Sequence, residues 1–190
     1  MNDAKVLETP RLLLRPFVPG DAETMFRRCT SRAECFRHLP WEPDTDPEQT
    51  RRRVESWRAS ESLHWAVEAR DGGLIGYVNL HGLEPENGYA ETTYFLSPDA
   101  WGRGYMTEAL AAVLDHAFGG MGLWRVAADH FAGNDASGRV LERCGMRREG
   151  VARGRYWKAG QRFDSIQYGM TRPDWQTPAS PYGGGGSPKG

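Results

Sequence analysis

Little in this chain could cross-link it, charge it strongly or hold it in a lipid phase. Its 190 residues include three cysteines, Cys29, Cys35 and Cys144, an odd set with no CxxC pair, which is expected to be reduced thiols in a cytoplasmic protein. His64, His81, His116 and His130 share no ligand spacing, so no metal site is expected. With 24 basic against 25 acidic residues and a formal net charge of -1, the chain offers no broad positive field for a nucleic-acid backbone. No segment reaches the ~20 apolar residues of a membrane span. The opening MNDAKVLETPRLLLRPF has no apolar run between a basic flank and a small-residue cleavage site, so no signal peptide is expected either.

What is present fits a single domain of ordinary size. The stretch from Gln176 to Gly190, QTPASPYGGGGSPKG, cannot bury apolar area and is expected to be a disordered tail, leaving residues 1–175 as the domain. Arg11 to Phe17 alternates as a strand, and Asp21 to Cys29 reads as a short helix capped by Asp21. A second helix is expected over Pro47 to Ser60. Strands His64–Arg70 and Leu74–Leu80 flank the turn Asp71-Gly72-Gly73, and Gly88 to Leu96 reads as a third strand after the polar loop GLEPEN.

From Gly104 the period lengthens: Met106, Leu110, Val113, Leu114 and Ala117 fall on one helical stripe ending at Gly119-Gly120. A strand from Trp124 to His130 follows, then a helix opened by Asn134-Asp135 and stopped after Cys144 by Gly145. Two strands then pair around Lys158 to Gln161. The order β-α-α-β-β-β-α-β-α-β-β predicts an α/β (α+β) fold with one mixed sheet and helices on its faces.

The chemistry concentrates in FLSPDAWGRGYMTEA, Phe95 to Ala109. A strand leads into a loop with Gly102, Arg103 and Gly104, and a helix starts at once. Glycines there let backbone approach a ligand, and the amides of the first helical turn favour a phosphate, with Arg103 and Thr107 as further donors. The same pattern also serves as a plain connector. A Walker loop is excluded, because Tyr105-Met106 stand where Lys and Ser or Thr are needed. A dinucleotide fingerprint fits poorly, since Ser97 to Trp101 intervene after the strand and Thr107 replaces a third glycine, although Asp129 could imitate its ribose-binding acid.

The runs ETPRLLLRPF, AETTYFLSPDAWGRGYMTEAL and NDASGRVLERCGMRREG, taken in order over Leu7 to Trp175, resemble the GCN5-related N-acetyltransferases of the RimJ/RimL type. That resemblance implies a mostly antiparallel sheet splayed between its central strands, with acetyl-CoA in the opening and no metal. By resemblance, Trp101, Gly102, Arg103, Gly104, Tyr105 and Met106 form the pyrophosphate loop, Leu96 and Ser97 pair through their backbone with the pantetheine arm, and Asn134 contacts that arm. Ser137 would lie beside the CoA sulfur as the group that stabilises or protonates the leaving thiolate, with a bound water as its rival. A tyrosine acid found on this helix in many relatives is Leu141 here. Glu91 matches an acidic residue of the type and would act, directly or through water, as the base that removes the amine proton.

Each of these residues also has a plain structural reading. Asn134 and Ser137 suffice as a helix cap, Glu91 as an exposed strand carboxylate, and Glu108 as a packing or dipole residue. Arg51, Arg52 and Arg53 read as a solvated helix face, and Trp41, Trp57, Tyr156 and Trp157 as core, although Arg37 to Trp41 falls where relatives build an acceptor wall. The expected activity is acetyl transfer to the amine of a protein N-terminus or a small molecule in a ternary complex, with acetyl-CoA and an amine acceptor as partners. A homodimer, a non-catalytic acyl-CoA sensor and a nucleotide-dependent oxidoreductase stay open at this level.

Overall fold

A computed structural model describes residues 4–176. Beyond Gln176 itself, the expected tail lies outside the described residues. The strands are β1 (Leu7–Glu8), β2 (Leu12–Pro16), β3 (Leu63–Ala69), β4 (Gly73–Glu84), β5 (Tyr89–Thr92), β6 (Tyr94–Leu96), β7 (Arg125–Phe131), β8 (Arg147–Lys158) and β9 (Gln161–Thr171). The helices are α1 (Asp21–Met25), α2 (Ala33–Phe36), α3 (Pro47–Ala59), α4 (Tyr105–Asp115), α5 (Asp135–Arg143) and α6 (Arg172–Gln176). Among the described residues no helix is long and apolar enough to cross a membrane.

One sheet runs in the order β1-β2-β3-β4-β5-β7-β9-β8, with β6 paired to β4. Neighbours are antiparallel except β5 and β7, which are parallel. That single parallel pair disposes of the dinucleotide-binding alternative, whose doubly wound sheet is largely parallel. Alternation along β3 sends Trp65 and Val67 into one core and Ala66 into another. The first core joins the sheet to α4 and α5 through Leu110, Val113, Leu114 and Leu141. The second joins it to α1, α2 and α3 through Met25, Phe36 and Val54. Helices therefore cover both faces.

Local chemistry explains most boundaries. The stripe Met106, Leu110, Val113, Leu114 and Ala117 is buried. Asp46 caps α3 by accepting the Glu48 amide at 2.9 Å, and Gly145, at φ 86°, lets the chain leave α5 left-handed. Asp21 is not the α1 cap. It is the first helical residue, its carboxylate accepting the Val18 amide at 2.8 Å and both terminal nitrogens of Arg15 at 2.8 Å. The helix expected to reach Cys29 widens into a π-helical turn over Phe26–Thr30. The strand expected over Gly88 to Leu96 breaks at Thr93, and that break makes the site.

Candidate active site

Asn79 of β4 creates the break. Its Oδ1 accepts the Thr93 amide at 2.7 Å. Its own amide donates to the Thr93 carbonyl at 3.1 Å, and its carbonyl accepts the Thr92 hydroxyl at 2.8 Å. A buried amide side chain thus substitutes for regular ladder bonds at this point. Before it, β5 pairs with β7 from Tyr89↔Arg125 to Thr92↔Ala128. After it, β6 stays with β4, from Val78↔Tyr94 to Gly76↔Leu96. Asp129 to Phe131 of β7 pair on their far side with β9, and the sheet opens between them and β6.

A cleft of about 470 Å³ occupies one side of this opening, lined by Thr92 to Leu96, Ala100 to Gly102, Gly104 to Thr107, Asn134 and Ser137 among others. Gly102 and Gly104 have φ of 75° and 76°, the left-handed region that L side chains enter at a cost. Gly104 is the N-cap of α4, and no side chain caps that helix, so its first-turn amides are left for a ligand. The loop is braced from behind: Arg11 donates to the Arg103 carbonyl at 2.9 Å and to Glu108 at 2.6 Å. Burial opposes ionisation of Glu108, but hydrogen bonds from Thr9 and Arg11 hold its carboxyl below the usual range. Arg37, Arg139 and Arg143 also line the cleft. None of the three forms an ion pair with a carboxylate among the described residues.

Asn134 caps α5, its Oδ1 accepting the Ser137 amide at 3.4 Å. The Ser137 hydroxyl is left over from capping and lies 2.8 Å from the Tyr94 hydroxyl. Tyr94 reaches it from β6, across the opening, and burial pushes its phenol well up, so it stays protonated as a donor.

A second cavity of about 350 Å³ lies on the other side and shares His38, Leu39, Thr93, Phe95, Asp129 and His130 with the first. Its walls include Trp41, Trp57, Tyr77, Glu91 and Tyr156. Tyr89 donates to Glu91 Oε1 at 3.1 Å. Burial, with the Glu91 charge next, pushes the Tyr89 phenol up to about 12. Burial lowers the His81 imidazole despite the Glu91 and Asp129 charges. The cavity rim is pinned by Lys158, whose ammonium donates to the carbonyls of Phe36, Leu39 and Trp41 at 2.5, 2.7 and 2.9 Å.

A glycine-opened, uncapped helix thus stands beside the opening of the sheet. The family model described as "Acetyltransferase (GNAT) domain" matches residues 11–147. The chain belongs to the GNAT acetyltransferase family. It is 32% identical over 173 residues to the Bacillus subtilis (strain 168) protein described as "Uncharacterized N-acetyltransferase YoaA", covering 88% of this chain and 97% of that one. A GNAT-family acetyltransferase structure from Bacillus anthracis superposes with a TM-score of 0.82 at 27% identity, over 89% of this chain and 99% of that one. RimL, described as a ribosomal L7/L12 alpha-N-protein acetyltransferase in complex with coenzyme A, has the same fold, with a TM-score of 0.80 at 20% identity over 88% and 98% of the two chains.

In this GNAT chain the fold brings Leu96, Trp101, Gly102, Gly104, Tyr105, Met106, Thr107, Asn134 and Ser137 to one cleft and Glu91 to the adjoining cavity. Ser97 and Arg103 are exceptions. The Ser97 amide is already spent on the Ile75 carbonyl at 2.7 Å, so strand alternation leaves Tyr94 and Leu96 facing the opening. The Leu96 carbonyl accepts the Trp101 indole at 2.9 Å and the Cys35 thiol at 3.4 Å, which leaves its amide for pairing. Arg103 is exposed, and its side chain is not among those lining the cleft. Trp41 and Trp157 are not core: they are 42% and 59% exposed. Arg53 is not a solvated face residue either, being paired with Asp44 at 2.6 Å. Sequence reading missed Tyr94, whose partner is on a distant element. It also missed Arg139 and Arg143, whose i, i+4 spacing on the helix that Ser137 opens was a readable sign.

Proposed function

We propose that this GNAT acetyltransferase moves an acetyl group from acetyl-CoA to a primary amine, the α-amine of a protein N-terminus or that of a small molecule, by direct attack in a ternary complex. The observation that carries this reading is the meeting of two cavities at six shared residues, with Ser137 on one side and Glu91 on the other. The uncapped α4 amides and the cations Arg37, Arg139 and Arg143 suit a polyanionic donor. The coenzyme A complex of RimL supports the same donor.

In the proposed step Glu91 takes one proton from the acceptor ammonium, and the freed nitrogen lone pair forms a C–N bond to the thioester carbon. The C–S bond breaks as the tetrahedral species collapses, and its electron pair leaves on sulfur. The nitrogen sheds its second proton as the amide forms; Ser137 gives the thiolate a proton and is reprotonated through Tyr94, which regains its own from solvent, while Glu91 and the nitrogen release theirs to solvent. An α-amine, with a pKa near ~8, needs less help from a base than a lysine near ~10.4. The protein's own thiols are poor candidates for a covalent intermediate. Burial pushes Cys144 up to about 12, and a hydrogen bond with Cys35 followed by burial raises Cys29. Three buried free thiols agree with a reducing, cytoplasmic setting.

The test is thiol release from acetyl-CoA with a panel of peptides bearing free N-termini and of small primary amines. Turnover with at least one amine is expected. Binding of acetyl-CoA with no turnover across the panel would favour a sensor.

A further inference from the structure

Asp129 is the one carboxylate among the six residues that line both cavities. We propose that it anchors the acceptor's ammonium at the junction of the two cavities, through Oδ1. This inference rests on the amine-acetylation reading above and adds a substrate-binding residue to it.

The position follows from register. Glu91 lies opposite Ala127 in the parallel pair, and Asp129 is two residues farther along β7. Side chains two apart share a face, so Glu91 and Asp129 project to the same side, with Asp129 ~7 Å nearer the opening. There β5 has ended, its last partner in β7 being Ala128.

The carboxylate is used asymmetrically. Tyr156 donates to Oδ2 at 2.6 Å, the Ser165 hydroxyl donates to the same oxygen, and Arg155 Nε lies 3.4 Å from it. Oδ1 has no donor among the described residues. The side chain is 26% exposed, so its charge is partly desolvated, with Oδ2 taken by protein donors and Oδ1 facing the cavities without one. A partly buried carboxylate gains from a further charged donor, and an ammonium brings three N–H groups that must be satisfied.

The oxygen is also held in place. The Tyr156 ring stacks on Phe131 at 4.6 Å, and Phe163 packs on Phe131 at 5.2 Å. Neighbouring donors do not fill Oδ1. Arg53 is committed to Asp44, Arg155 approaches only Oδ2, and the His130 Nδ1 is paired with the Phe131 carbonyl at 2.8 Å. An ammonium on Oδ1 would sit between Glu91, which takes its proton, and the donor cleft. Apolar walls from Phe95 and Trp57 would favour a cationic head with a compact or apolar neighbour.

The test compares Asp129→Asn with Tyr156→Phe in steady-state thiol release, using acetyl-CoA and whichever panel amine the wild type acetylates. Asp129→Asn keeps an acceptor for Tyr156 and Ser165 but removes the charge. Acceptor KM should rise about tenfold or more, the size of one lost charge-assisted bond, while the thermal shift given by acetyl-CoA is unchanged. Tyr156→Phe breaks the Tyr156–Asp129 contact from its other end and should raise acceptor KM less than about threefold, a small fraction of that bond. Equal losses in the two variants would reduce Asp129 to a structural pin and overturn the anchor. So would wild-type acceptor KM in Asp129→Asn. Absence of turnover in the wild type itself would instead overturn the transferase reading, and the anchor with it.

Discussion

Asn79 and Thr93 exchange two hydrogen bonds, one through the Asn79 side chain at 2.7 Å and one through its backbone amide at 3.1 Å. That pairing ends β5, starts β6 and lets the sheet open. Replacing Asn79 by Ala should strand the half-buried Thr93 amide and cost ~1–3 kcal/mol. Urea denaturation of the two proteins checks this. A variant with wild-type stability would show that water or another group satisfies Thr93.

Gly104→Val should abolish acetyl-CoA stabilisation while the protein still folds. A Cβ there meets nothing closer than Arg11 Nη2 at 3.6 Å, so the penalty is conformational, from φ of 76°. Melting curves with and without acetyl-CoA separate the two effects, since a ligand bound only to the native state raises Tm by an amount that grows with the logarithm of its concentration over Kd. A full acetyl-CoA shift in the variant would dismiss the loop as the phosphate site.

Glu91→Gln should keep acetyl-CoA affinity and lower turnover, with the loss shrinking as rising pH deprotonates the amine unaided. Ser137→Ala and Tyr94→Phe should lower turnover at every pH, because their proposed work is at the departing sulfur. The Asn134 cap accepts the Ser137 backbone amide, which alanine retains, so Ser137→Ala should cost little stability. A pH–rate profile of the three variants decides. Wild-type turnover in Glu91→Gln across the range would remove it from the mechanism.

Acid sensitivity should trace in part to His64. Its Nδ1 lies 3.0 Å from the Tyr77 hydroxyl, its ring stacks near Trp57, and burial pulls its pKa down to about 4. The unfolded chain binds that proton near pH ~6.5. The folded protein therefore binds fewer protons between those values, and stability is full above the upper one and falls as pH drops toward the lower. His64→Gln should flatten the melting-temperature loss between pH 6.5 and 4. An unchanged slope would assign the loss to other groups.

The local pattern of the chain settled a good deal. Apolar spacing in α4, the glycines before it, the Asn134 cap and the hairpin turn at Gly72-Gly73 are short-range facts, because helix stripes, caps and positive φ depend on neighbours within a few residues. The resemblance of three segments to GNAT enzymes supplied the expectation of a splayed sheet. Contacts between distant positions stayed out of reach. The break at Thr93 depends on Asn79 folding onto it from another strand, and the Tyr94–Ser137 pair joins residues on β6 and α5. Only their assembly placed Asp129 at the meeting of two cavities and spent the Ser97 amide on Ile75. Hydrogen-bond partners and exposure are properties of the packed sheet, and a strand's sequence carries no record of which edge its amides face until its neighbours are fixed.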